Sequence, residues 1–346
     1  MKLAERPSLQ QLPQRLQLLA AAVRLNRVRA IPILGLLPLL APAQQSPTIR
    51  TEVPLVMAPV TVTDTKGHYI DGLSAGDFVL TDNQSPRPFH LDTSDTTLIP
   101  ISIVVVAQIN NYAGAVVAKL HKVGSMIQPL ITGERGDAAV VAFDERIWTV
   151  QDFTPDPSQI EHGLEEIQPS ADTQAHMVDA VSDAVHRLEK LPTSRRKVIL
   201  LISEAKDRGS KGKLADVLQA AQRENVTIYS ASYSAYTTAF TAKPEDLPPP
   251  EGGNLLTIFT ELGRMGKANA AESFARYTGG RHLSFAKQSS LEKAIADVGV
   301  ELHSQYLLSF TPAKSDEAGY HLIDVKVPNR PDAKVRTRPG YWAAEP

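Results

Sequence analysis

The chain has 346 residues, 42% hydrophobic and 21% charged, with 36 basic against 38 acidic side chains. That length suits two domains, or one large domain with an accessory part, and the composition suits a chain that buries a real core. A net charge of −2 gives no electrostatic footing for nucleic acid or an anionic membrane; the lack of Cys excludes a Cys-ligated zinc site, an iron–sulfur cluster, a thiol nucleophile and a disulfide framework.

Residues 1–43 hold Lys2, Arg6, Arg15, Arg24, Arg27 and Arg29 against one acid, Glu5, which leaves the rest of the chain net acidic. After Arg29 comes an apolar run of about fourteen residues, Ala30–Ala43, short of the ~20 a membrane-spanning helix needs. A basic stretch, a short apolar stretch and the ending Ala41-Pro42-Ala43 predict a secretory signal peptide cut before Gln44, and so a periplasmic or secreted protein. Contact with a membrane is expected only through this segment, if it stays uncleaved.

From Thr51 to about Asp95 the pattern alternates with period two in short runs, broken at Asp64–Gly67 and Asp82–Pro86, which predicts several short antiparallel strands. The next two hundred residues differ. Ile101–Ala107, Ala138–Phe143, Val198–Ile202 and Val226–Ser230 are compact, β-branched apolar runs, as expected of parallel strands covered on both faces. Helix-period stripes lie among them: Val116 to Leu130, Met177 to Leu188, Leu214 to Ala221, and Leu291 to Leu302. The fold class expected is therefore α/β, a doubly wound and mostly parallel sheet. Tyr233–Asn254, rich in Pro and Gly, reads as one long loop that is either functional or mobile. After Leu302 alternation returns in Tyr306–Pro312, Leu322–Pro328 and Val335–Trp342. Both β-rich flanks are too small to stand alone, so they are expected to pair into one smaller discontinuous β domain. The expected boundaries are a signal peptide at 1–43, an N-terminal flank at 44–98, the α/β domain at 99–303 and a C-terminal flank at 304–346.

Three segments carry a resemblance: VTVTDTKGHYIDGLSAGDFVL (60–80), SQYLLSFTP (304–312) and VRTRPGYW (335–342). With an α/β core between them, the chain resembles the acidobacterial von Willebrand factor A-related proteins, whose A domain is a Rossmann-like doubly wound sheet set between β-rich flanks. Domains of that family commonly bind partners through a metal-ion-dependent adhesion site built as Asp-x-Ser-x-Ser, a Thr on a second loop and an Asp after the fourth strand. Laid on this sequence, those positions are Ala107, Ile109, Asn111, Ala175 and Glu204. A two-residue slip would offer Thr173 in place of Ala175. Mg²⁺ demands a near-octahedral shell of oxygens, and these side chains predict a degenerate site with no cofactor. The same strand ends gather Gln108, Asn110, Asn111, Tyr112, Thr173, His176 and Glu204, the residues expected to meet an unidentified protein partner.

Other constellations have blander readings. His176, Asp179, Asp183 and His186 share helical spacing and could ligate a transition metal, but a solvated polar face opposite a buried stripe accounts for them with no metal needed. Arg195-Arg196-Lys197, before a core strand, reads as solvated charge or as a patch for phosphate or an acidic partner. Asp144-Glu145 reads as a hairpin turn. Gly-x-Ser-x-Gly, P-loop and Gly-x-Gly-x-x-Gly motifs are absent, so no enzyme is expected. The function expected is an exported, non-catalytic protein-binding or scaffolding protein that works without metal. The alternatives are a Mg²⁺-dependent adhesion module with a drifted ligand set, and a cryptic hydrolase using the crevice above the sheet.

Overall fold

The computed structural model describes residues 55–92, 99–233, 268–312 and 318–343. The segment 1–43 and the loop from residue 234 onward lie outside the described residues. Residues 52–346 cluster as one compact unit.

The chain enters through β1 (Val56–Thr63), turns at Asp64–Gly67, and continues through β2 (Val79–Asp82), β3 (Ser85–Pro86) and β4 (His90–Leu91). The β2–β3 hairpin turns on Asn83 and Gln84, both at positive φ (47° and 68°), the left-handed pair that matches strand twist.

The α/β core follows in chain order. It contains β5 (Ile101–Gln108), α1 (Gly114–Leu120), α2 (Gly124–Ile127), β6 (Asp137–Phe143), β7 (Ile147–Thr154) and α3 (Pro157–Glu166). Then come α4 (Met177–Glu189), β8 (Arg196–Ser203), α5 (Leu214–Arg223), β9 (Thr227–Ser232), α6 (Ala270–Thr278), β10 (His282–Ser284) and α7 (Gln288–Ser304). The sheet order is β10-β9-β8-β5-β6-β7, parallel except for β7, which returns antiparallel from β6.

Every residue of β5 is buried, because helices cover both of its faces. Side chains alternate along a strand. Ile101, Ile103, Val105 and Ala107 therefore pack with α1, α3 and α7, while Val104 and Val106 pack with α4, α5 and α6. Fully burying one such side chain contributes about 1.5–3 kcal/mol, so two complete layers outweigh any local propensity.

Several local details depart from the sequence reading. The stripe from Val116 to Leu130 is not one helix. It breaks between Leu120 and Gly124 and ends in a π turn, Gln128–Thr132; at Gly124 α3 comes so close that a Cβ would lie 2.7 Å from the Glu161 Cα. Two helices went unrecognised. In α3, Asp156 caps the Ser158 N–H and Pro157 opens the first turn. In α6, Asn269 caps the Glu272 N–H, and Gly279 at φ +84° ends the helix. Arg196 and Lys197, read as solvated, are buried at the start of β8.

The chain finishes in β11 (Tyr306–Phe310), β12 (Gly319–Lys326), β13 (Lys334–Arg336) and β14 (Gly340–Ala343). These pair with the opening strands in two antiparallel sheets, ordered β13-β1-β11-β4 and β14-β12-β2-β3. Val60, Leu80, Leu308, Ile323 and Tyr341 belong to the core between them.

One buried carboxylate joins three partners there. Asp82 accepts from Arg87 Nε (3.0 Å) and Tyr341 Oη (2.9 Å), and lies 2.9 Å from His321 Nδ1. Asp82→Ala removes the one carboxylate shared by groups from both chain ends. Urea unfolding should show a loss of about 3–5 kcal/mol. A loss under about 1 kcal/mol would mean the cluster adds nothing to the joint.

Candidate functional site

In open α/β sheets the crevice forms beyond the carboxyl ends of the strands, where successive crossovers leave on opposite faces. Here that point lies between β5, followed by α1 on one face, and β8, followed by α5 on the other. The side chains at those strand ends are Gln108 and Glu204.

These two groups clasp each other. The Glu204 N–H donates to Gln108 Oε1 at 2.9 Å, and Gln108 Nε2 donates to Glu204 Oε2 at 3.1 Å and to Asn110 Oδ1 at 2.9 Å. Arg208 then grips the same carboxylate with two nitrogens, Nε to Oε2 at 2.8 Å and Nη2 to Oε1 at 3.1 Å. This forked geometry is the strong form of an ion pair. The guanidinium also lies 4.9 Å over the ring of Tyr112, within cation–π range. A continuous polar chain thus runs from the end of β5 to an aromatic ring at the surface.

The loop before α4 is tied down beside it. Ser170 N–H donates to Ile109 O, Asn111 N–H to Asp172 O, and Asn110 Nδ2 to Thr173 O. Ala175 and Arg208 exchange backbone hydrogen bonds at 3.0 Å in both directions. The first N–H groups of α4 are also occupied, Val178 by Asp207 Oδ1 and Asp179 by Ser210 Oγ, so this helix start has no open donors there for an anion.

The expected partner residues separate into two groups. Gln108 and Asn110 are 0% exposed and Glu204 is 6% exposed, so all three serve the internal network rather than an interface. The reason is that their polar groups satisfy one another where the sheet ends. Asn111, Tyr112 and Thr173 do reach the surface, Tyr112 at 39%. His176 is half-buried, with its ring packed against Gly209.

The positions of the adhesion motif do not fit a divalent ion. Ala107, Ile109 and Ala175 are buried apolar side chains with no oxygen to offer, and the Glu204 carboxylate is held by Arg208 and Gln108. The helix-spaced set on α4 does not converge either. Asp179 accepts from Lys211 N and Gly212 N, Asp183 pairs with Arg187, and His186 pairs with Glu189. Among the described residues, no group of three or more His, Asp and Glu side chains converges as a metal would require.

Two features went unread in the sequence. Arg208 follows Glu204 by four residues on an irregular loop, where spacing carries no periodic signal. Asp144 and Asp172 meet from separate loops. Asp144 is wholly buried, with Oδ1 accepting the Arg146 N–H. A hydrogen bond to Asp144, then partial desolvation and the charges of Asp144 and Glu145, hold the Asp172 carboxyl above its ordinary range. Burial and the charge of Glu204 push the Tyr233 phenol upward in the same region.

No protein-family model matches the sequence, and no curated protein matches it. Solved structures share distant likeness. BatB, a conserved hypothetical protein from Bacteroides thetaiotaomicron, aligns with a TM-score of 0.40 at 14% identity, covering 58% of this chain and 98% of its own. An aerotolerance-related membrane protein from Bacteroides fragilis NCTC 9343 aligns at 0.40 and 14%, covering 58% and 99%. Proximal thread matrix protein 1 from the mussel byssus, with a zinc-occupied MIDAS motif, aligns at 0.41 and 17%, covering 62% and 48%. At these scores the likenesses assign neither a family nor an activity to this chain.

Proposed function

We propose that the chain is an exported, von Willebrand A-like protein-binding module, and that its partner docks on the carboxyl edge of the central sheet without a bridging ion. The observation that carries this reading is Arg208, bonded twice to buried Glu204 and stacked on exposed Tyr112. Where a metal-bridged edge relies on a bound cation, this edge has its cation built into the chain. The ion pair fixes the guanidinium, and the guanidinium steadies the ring. Such a stacked ring, ordered before binding, loses little freedom when a partner covers it. Asn111 and Thr173 stand exposed beside it as polar contacts. Tyr and Arg are also the residue types that carry most binding energy at protein interfaces.

Export belongs to the same reading and rests on the basic and apolar stretches of residues 1–43. Among the described residues no helix is long and apolar enough to cross a membrane. Mass spectrometry of the native protein should find its N-terminus near Gln44. Intact residues 1–43 in a cytosolic fraction would count against export.

Replacing Tyr112 and Asn111 together by Ala should weaken capture of the partner from envelope extract by roughly 10- to 100-fold. Lys326→Ala, on an exposed residue of β12, should leave capture unchanged. Equal capture by the double variant and wild type would remove this edge from consideration.

A magnesium titration separates this reading from the drifted adhesion site. An ion bound with a Kd near ~0.1 mM would raise the melting temperature by roughly 5–11 °C in ~10 mM Mg²⁺. The expected shift is under about 1 °C against an ionic-strength control. A reproducible rise above about 4 °C, lost in Glu204→Ala and absent in matched NaCl, would favour the metal-dependent module.

A further inference from the structure

At the amino edge of the same sheet the charges do not balance. Arg196 opens β8 and Arg338 precedes β14, and the two are only 4% and 2% exposed. Arg338 donates through Nη1 to Gln222 O at 3.2 Å, while Nε and Nη2 have no hydrogen-bond partner. Arg196 gives Nη1 to Leu302 O and Nη2 to Gln305 Oε1, and its Nε is unmet. The acids nearby are committed elsewhere. Glu301 pairs with Arg336 (2.6 Å) and Arg281 (3.4 Å), and Asp297 is shared by Arg281 and Lys293. Among the described residues no ion pair reaches Arg196 or Arg338.

Both arginines line one cavity, of about 270 Å³ counted out to its open mouth. Thr227 adds a hydroxyl to its wall, and Pro59 and Leu307 close it from β1 and β11. Asn225 also lines it, but its amide is spent on the β1 backbone, accepting from Met57 N and donating to Leu55 O. Among the described residues no carboxylate lines the cavity. Its enclosed part has room for roughly one water-sized particle.

A guanidinium cannot escape its charge at physiological pH, and an unpaired buried charge is strongly destabilising. Burial lowers the Arg338 guanidinium to about 10, with only the Tyr320 and Tyr341 phenols acting in the other direction. Burial also lowers Arg196, against the Tyr229 phenol and the more distant charge of Glu301. For Arg338 no carboxylate charge among the described residues offsets that burial.

We propose that this cavity binds a small inorganic anion of halide size, held by the guanidiniums of Arg338 and Arg196 with the Thr227 hydroxyl as a neutral donor. The size of the enclosed space selects the ligand. A monatomic anion matches that enclosed part, which is too small for phosphate or a carboxylate group. Because the cavity is walled by the flank strands and the central sheet together, the anion acts as a charged rivet between them.

The full-length protein is melted in chloride, bromide and gluconate at matched ionic strength and pH, gluconate being too large to enter. Wild type should melt roughly 3–6 °C higher in either halide at a tenfold excess over Kd. Arg338→Met, of similar length but uncharged, should lose that dependence and melt in gluconate at or above wild type. Crystals of wild type soaked in bromide should show an anomalous peak between Arg338 and Arg196, a readout that does not depend on the variant folding. Equal melting of wild type in all three salts, or bromide peaks only outside the cavity, would overturn the proposal.

Discussion

The pairing of β1 with β11, Val56 opposite Phe310 and Val60 opposite Tyr306, is the contact on which the rest of the molecule depends. It brings together strands separated by nearly the whole described chain. β1 has an apolar face, Val56, Ala58, Val60 and Val62, that only a closed sandwich can cover. Once it is paired, the two sheets enclose a core, and the α/β layers become an insertion whose two ends emerge side by side. The joint is then secured by side chains reaching across it. Gln305 Nε2 donates to Thr61 Oγ1, Arg336 reaches Thr61 and Glu301, and the Tyr306 hydroxyl bonds Ile70 O while accepting from the Leu73 N–H.

Much of the central layer was legible in the sequence, because burial on two faces leaves a signature that few local features can mimic. Ile101–Ala107 and Val198–Ile202 are uninterrupted apolar runs, and α4 and α7 carry stripes at helical spacing. The elements missed were those whose signal is a cap rather than a stripe. α3 announces itself through Asp156-Pro157 and α6 through Asn269 and Gly279, single residues that are easily taken for loop. The fit of Gly124 against Glu161 is a contact from another part of the chain that no local window contains.

The candidate edge was legible in outline and not in detail. Strand ends can be read from periodicity, so the segments carrying Gln108, Thr173 and Glu204 were found. Which side chains point outward could not be. Gln108 and Asn110 are polar at the end of a strand, a pattern equally consistent with an interface and with an internal clasp; the outcome was set by Glu204, nearly a hundred residues on. Lys197 shows the same limit. Its charge argued for solvent, but a single acid, Glu224 at 3.2 Å, lets it stay buried. The two edges of the sheet also solve charge differently. At the carboxyl edge Glu204 is matched by Arg208, while at the amino edge Arg281 and Arg336 take up Glu301 and leave Arg196 and Arg338 without an ion pair among the described residues.

The order of the strands sets the order in which the protein can be completed. β1 is made early and β11 late, so a growing chain carries the edges of β1 unpaired while the whole α/β core is synthesised. An unpaired strand edge is a template for association with other chains. While the α/β core is being made, then, β1 is open to such association, and it is covered only once β11 and β13 have been synthesised. A chain cut short before Tyr306 would keep both edges of β1 open permanently, so the strands from Tyr306 onward decide whether that template is ever withdrawn.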